Sequence, residues 1–453
     1  MTTATRRTMS GADAMWLHAD RPEHPMVIDG IMWTEQPLDW GLLRRTIQER
    51  LIDTYPVFRQ RPVGPARPWD LPGWEDDPDF ALSHHLHHAR LRRPGGDKQL
   101  RAFLEKKVSR PLDRDRPLWE TWLIDGYGEG SVVFSRLHHA MADGMALAQV
   151  MLTLTDPSPD GHDPSPPGAA PGSGLGLLVS SATGLLRGAL SLPTVPVTAF
   201  KSLAVTRKLL LDVLPRTLLS HEPGVDKLLA WSQPHALAEV KAVGSSAGST
   251  VNDVLISALS GALARYLRSF DESVDHLTTM VPVNIRPPDQ PLPRELGNKF
   301  ALVMLHLPTA EMTPLERLAE VHRRMARIKD SPEVFITSAM AEGIGHLNAV
   351  ERPLVDFFAG KAIGVTTNVR GPSQPRYLAG VEVTGVLGWV PGSGGQTLGV
   401  CIFSYADTVR IGFKVDAATV PDPERLIAFF EAELDSLREA AAPDPAGLAE
   451  GTG

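Results

Sequence analysis

Apolar residues recur at helical spacing across Leu42–Ile52, and the stretch 97–112 predicts a second helix stopped by Pro111. The pattern then changes. Trp119–Ile124 and Val132–Leu137 predict two strands joined by the turn GYGEG, and the run from Met145 after Gly144 predicts a buried helix. Beyond a break the alternation resumes. Residues 249–270 predict a strong helix, 313–330 and 421–440 predict amphipathic helices, and 276–287, 299–308, 361–372, 398–405 and 409–416 predict strands. Mixed strands and helices on both sides of the break imply an α/β protein of two lobes with a site between them.

The break begins as DPSPDGHDPSPPGAAPGSG, whose Pro, Gly, Ser and Asp offer little to bury, so a flexible linker is expected. Residues 1–157 then form an N-terminal domain, 158–219 a linker with connecting helices, and 220–453 a C-terminal domain. Long apolar runs follow the linker, and they predict helices packed along both domains or a surface touching lipid. The apolar part, about 174–186, is shorter than the ~20 residues a membrane span needs. Arg6 and Arg7 precede no apolar stretch, so no secretory signal is expected.

Composition narrows the function. Hydrophobic residues make up 43% and charged residues 22% of 453, ordinary globular usage. The net charge is −8, with 45 Lys and Arg against 53 Asp and Glu and no basic run, which argues against a nucleic-acid partner. The single cysteine, Cys401, cannot form an internal disulfide and sits in an apolar strand, so a buried thiol in a reducing, cytoplasmic setting is expected.

The segment HHAMADG, His138 to Gly144, lies between a predicted strand and a predicted helix, where catalytic residues often sit. A neutral imidazole, pKa near ~6.5, can take a hydroxyl proton while that oxygen attacks a thioester. Asp143, four residues after His139, can pin the loop or orient the ring. Three other readings compete. The histidines could be structural; His139 and Asp143 could bind metal, though no third ligand has convincing spacing; or the site could be a Ser-His-Asp hydrolase, though no GxSxG elbow joins a predicted strand to a predicted helix.

HHAMADG preceded by PLWETWLIDG resembles the bacterial wax ester synthase/diacylglycerol acyltransferase family, within the CoA-dependent acyltransferase and condensation-domain group. The resemblance runs through most of the chain. ADAMWLHADRPEHPMVIDG, Pro117–Trp119, Asn252–Asp253, VPVNIRP, GNKFALVMLHLP, TTNVRGP and SYAD match the family's motifs in order. It implies two similar mixed-sheet domains with a tunnel between them, and acyl-CoA and a lipid alcohol or diacylglycerol approaching from different sides. It implies His139 as base, with His138 and Asp143 in the catalytic motif and no cofactor beyond acyl-CoA as substrate. Peripheral contact with the inner membrane or lipid bodies fits such substrates.

Gly144, Asn252 and Asn368 are candidates for substrate binding, Pro117 and Trp119 for support beneath the motif loop. Thr250-x-x-Asp253 has the form of a capping box, so Asp253 is a cap or a site support. Arg286 is the candidate partner of Asp143, since related acyltransferases hold this aspartate with an arginine. Arg370 stands where the family has Pro, and Asp407 where Gly is common. Within the fold, an acyltransferase for a polyketide or glycolipid alcohol is the alternative; outside it, a non-catalytic lipid binder.

Overall fold

The computed structural model describes residues 6–160, 214–285, 293–344, 346 and 351–442, apart from 66, 68 and 330. The linker from 161 and the apolar segment 174–186 lie outside the described residues, as does Arg286. Two seven-stranded sheets organise the molecule, with a small third sheet of β1 (Arg7–Thr8), β3 (Gln60–Val63) and β4 (Gly73–Asp76). No described helix is long and apolar enough to cross a membrane.

The first large sheet has β2 (Val27–Thr34), β5 (Leu86–Arg90), β6 (Trp119–Tyr127), β7 (Gly130–His138) and β8 (Thr155–Asp156). It is completed from the second half by β14 (Arg376–Leu378) and β15 (Val381–Trp389), giving the order β5-β6-β7-β2-β15-β14-β8. The second sheet contains β9 (Lys227–Trp231), β10 (His235–Ala236), β11 (His276–Asn284), β12 (Phe300–Pro308), β13 (Gly364–Arg370), β16 (Leu398–Tyr405) and β17 (Thr408–Asp416). Its order is β10-β17-β16-β13-β11-β12, with β9 also on β17. The hairpin β14–β15 therefore carries chain from beyond residue 370 into the first sheet, and the halves interlock.

The helices are α1 (Gly11–Ala19), α2 (Trp40–Ile47), α3 (Asp97–Val108), α4 (Gly144–Leu152), α5 (Leu237–Ser246), α6 (Val251–Arg268), α7 (Pro314–Lys329), α8 (Glu333–Ile344), α9 (Glu351–Ala359) and α10 (Pro423–Ala441). The helix expected over Leu42–Ile52 is α2 continued by a π-helical turn, Gln48–Ile52. All nine residues of β7 are buried, which explains why its sequence lacks the apolar–polar alternation of a half-exposed strand. Strand β2 and the hairpin β14–β15 escape the pattern for the opposite reason: Asp29, Gly30, Thr384, Gly385 and Gly388 interrupt their apolar sequence.

Each large sheet lies against its own apolar core. Between them a buried ionic cluster crosses the junction. Asp29 of β2 accepts from Arg136 Nε of β7 at 3.0 Å and from Lys414 Nζ of β17 at 2.8 Å. Burial pushes the Lys414 pKa down, and Asp29 opposes that shift. Such a cluster adds little net energy but fixes one docking geometry, because any other leaves a buried charge uncompensated.

Candidate active site

Strand β7 ends at His138 and the chain turns through His139–Asp143 into α4. The loop is pinned from both sides: His138 N donates to Leu118 O at 3.0 Å, and His139 N to Met26 O at 2.7 Å. Asp143 is the N-cap of α4. Its Oδ1 accepts from Ala146 N at 2.9 Å, where the exposed helix N–H groups favour a carboxylate. Its Oδ2 accepts from Lys299 N at 3.1 Å, so it also grips the second half of the chain.

The residue before that contact completes the site. Asn298 precedes β12, and its Oδ1 lies 3.0 Å from His139 Nδ1. Its amide nitrogen donates to Asp13 Oδ1 and to His139 O, each at 2.8 Å. With both amide hydrogens directed there, Oδ1 can only accept. The proton of His139 is therefore on Nδ1, which leaves the lone pair on Nε2. This tautomer follows from the hydrogen-bond network. Asp13 is held in turn by the N-terminal capping box of α1 with Ser10, and it also accepts from Asn298 N at 2.9 Å. Three residues along the same helix, Trp16 stacks on the His139 ring, centroids 4.2 Å apart. Burial of the ring pushes the His139 pKa down from 6.5 to about 4, against the hydrogen bond that the ring donates to Asn298.

His138 is arranged differently. Its Nδ1 accepts from Ala140 N at 3.0 Å, so Nε2 carries the proton and faces Asp20 Oδ1 at 3.7 Å. Burial would raise the Asp20 carboxyl, but His138, the Met26 N–H and Arg114 hold it below the usual range. His138 is buried and lines none of the cavities.

A central cavity is lined by His139, Asp143, Gly144, Trp16, Asn368 and Ser393, among others. Two apolar chambers, each with about 90 Å³ of free space, share walls with it. One is bounded by Met15, Met304, Met340 and Phe358, the other by Met32, Leu147, Met151 and Cys401. Burial raises the Cys401 thiol to about 12, so it is an inert apolar wall at neutral pH.

The remaining candidates fall into two groups. Gly144 and Asn368 line the central cavity; Asn252 stands behind, its Oδ1 accepting from Asn368 Nδ2 at 2.7 Å. Pro117, Trp119 and Asp253 line none of the three cavities. Trp119 is buried, donates Nε1 to Phe58 O at 2.8 Å and stacks on His85. Asp253 closes the capping box with Thr250 and accepts from His322 Nδ1 at 2.8 Å. Asp407 sits with Ala406 in the two-residue β16–β17 turn, both at positive φ (57° and 44°). That backbone explains why glycine suits the position; an aspartate tolerates it.

Among the described residues, no three His, Cys, Asp or Glu side chains group as metal ligands. Sequence reasoning missed Asp13, Trp16, Asn298 and Lys299. They lie in ADAMWLHAD and GNKFALVMLHLP, and the available signal was a polar pair, Asn-Lys, set just ahead of an apolar strand.

Two interlocked sheet-and-helix halves carry a strand–HHxxxDG–helix loop that faces a cavity between two apolar chambers, an arrangement suited to an acyltransferase. Residues 9–255 match the wax ester synthase/diacylglycerol acyltransferase catalytic domain and residues 296–438 the WS/DGAT C-terminal domain, so the chain belongs to that family. It is an acyl-CoA-dependent O-acyltransferase. Two Mycobacterium tuberculosis relatives that carry the name diacylglycerol O-acyltransferase are 28% and 29% identical. The alignments cover 96% and 95% of this chain and 98% and 99% of theirs. The fold is similar to that of a wax ester synthase/diacylglycerol acyltransferase from Marinobacter aquaeolei VT8. That match has a TM-score of 0.70 and 24% identity, covering 96% of this chain and 99% of that one. It is also similar to the first condensation domain of the calcium-dependent antibiotic synthetase, with a TM-score of 0.60, 16% identity and 98% of each chain covered.

Proposed function

We propose that His139 is the general base for acyl transfer from a long-chain acyl-CoA to the hydroxyl of a fatty alcohol or diacylglycerol. The observation that carries this reading is the Asp13–Asn298–His139 chain, which leaves Nε2 unprotonated in a cavity flanked by two apolar chambers. Nε2 takes the hydroxyl proton as the oxygen attacks the thioester carbonyl. Asn368, oriented by Asn252, lines the cavity and has a second amide hydrogen to offer the oxyanion. Collapse of the tetrahedral intermediate breaks the C–S bond, and the imidazolium returns its proton to the CoA thiolate. The products are an ester and free CoA. The two chambers are suited to separate hydrocarbon chains, each buried CH₂ contributing ~0.8 kcal/mol.

The test uses purified protein with palmitoyl-CoA and either hexadecanol or dipalmitoylglycerol, following CoA release and the lipid product. Wax ester or triacylglycerol should accumulate in step with CoA; CoA release with free palmitate as the product would reject acyl transfer to these acceptors. The reading also includes peripheral contact with membrane or lipid bodies, because wax ester and triacylglycerol are both lipids; cosedimentation with vesicles should retain the protein, and recovery entirely in the supernatant would reject it. Arg286 belongs to the reading as the partner of Asp143. If they pair, the losses from Asp143→Asn and Arg286→Gln should overlap in the double variant; strictly additive losses would uncouple them.

Asn298 provides a sharper prediction. Asn298→Ala should lower kcat roughly 10- to 100-fold, as loss of a residue orienting a reactive imidazole does, with KM for hexadecanol little changed. A rise in KM at constant kcat would show that Asn298 serves substrate binding and not the ring.

A further inference from the structure

Away from the acyl-transfer cavity, a second pocket of about 420 Å³ opens at the junction of the two sheets. Its walls include Trp33 of β2, Tyr127 of β6, Trp231 of β9, Thr384 of β15, Arg410 of β17 and Asp97 at the start of α3. In the β2–β7 register Val27 faces His138 while Thr34 faces Ser131, seven residues along, so this pocket lies roughly 20 Å or more from the base.

The pocket is built. The Arg410 guanidinium lies over the Trp33 ring, 5.0 Å from its centroid, and Nη1 donates to Ser232 O at 3.1 Å. Gly385 makes that packing possible: a Cβ there would come within 3.1 Å of the Trp33 ring and 3.6 Å of Arg410 Nε. No carboxylate among the described residues forms an ion pair with Arg410. Burial pulls its pKa down, and Tyr127 and Asp97 oppose that only through space. Asp97 accepts from the Tyr127 hydroxyl at 2.6 Å, which leaves further lone pairs. The Trp33 indole N–H, itself buried, has no partner among the described residues. Trp33 and Trp231 stand at 57° to each other with centroids 6.1 Å apart.

We infer that this pocket binds a neutral, polyhydroxylated ring: a sugar unit. Its chemistry excludes the simpler ligands. An anion would meet Arg410 but also Asp97, Glu35 and Glu129, which outnumber it. A cation would meet the guanidinium. A vicinal diol uses both, accepting from Arg410 and donating to Asp97. The source is either a free sugar or the head of a glycolipid, and the same chemistry serves both.

The test is calorimetric titration of the full-length protein with maltose and, separately, with dodecyl maltoside below its micellar concentration. Maltose should bind in the millimolar range, as a few solvent-competed hydrogen bonds allow. Equal affinity for the two assigns the pocket to free sugars; dodecyl maltoside bound about tenfold tighter or more assigns it to a glycolipid head. Arg410→Gln should weaken binding about tenfold, and Thr384→Trp, a substitution at an exposed position, should abolish it by filling the mouth. Both variants should keep wax ester formation from hexadecanol within about twofold, since neither residue lines the cavities around His139. Absence of binding by both probes would overturn the inference, as would unaltered binding in Thr384→Trp or displacement of maltose by phosphate or tetramethylammonium.

Discussion

His139→Ala should lower turnover by ~10²–10⁴-fold while the protein stays folded, which is the usual worth of a positioned general base. The ring contacts Trp16 and Phe300 but holds no other element of the fold in place beyond its bond to Asn298. His138→Ala should cost less in turnover and more in stability, because that ring supports the loop from within and faces Asp20. The comparison separates two adjacent histidines with opposite tautomers. Ester formation by a folded His139→Ala protein at close to the normal rate would falsify the base assignment. Circular dichroism and thermal melting of each variant establish whether a loss is chemical or structural.

The largest effect on stability should come from Asp29→Asn. The substitution removes the anion from between Arg136 and Lys414, all three side chains being buried. Leaving such charges unpaired costs ~3–5 kcal/mol. Combining Asp29→Asn with Lys414→Met should recover part of that loss, because one stranded cation is then gone. Denaturant unfolding measures both. A midpoint for Asp29→Asn within error of wild type would mean that Glu120, 3.8 Å from Arg136, and water carry the compensation instead.

Much of this site is legible in the sequence, and the reason is local. A loop that leaves a buried strand and enters a helix keeps its candidate residues within seven positions, so His138, His139 and Asp143 are visible together. The Thr250–Asp253 capping box is visible on the same grounds, since a helix start needs its partner only three residues away. What the pattern hides is what arrives from afar. Asn298 reaches His139 across 159 positions and Asp13 across 285. Neither is marked by periodicity, because each is a single polar residue at the edge of an element. The hairpin that completes the first sheet is hidden for a related reason: strand membership is decided by the partner edge, here β2, and glycines at 385 and 388 mask its apolar alternation.

The pH dependence of kcat/KM tests the central claim most directly. With its pKa pushed down to about 4, His139 is neutral throughout the neutral range, as the proposed base must be. The sign follows from linkage: a depressed imidazole pKa favours the folded, unprotonated form above about pH 6.5, and that advantage is lost as the pH falls toward about 4. With palmitoyl-CoA and hexadecanol, kcat/KM should stay level from about pH 8 down to about pH 5 and decline only below that, in protein still folded by circular dichroism. An acid limb with its midpoint near the ordinary imidazole value of 6.5 would contradict a buried, tautomer-locked base at His139.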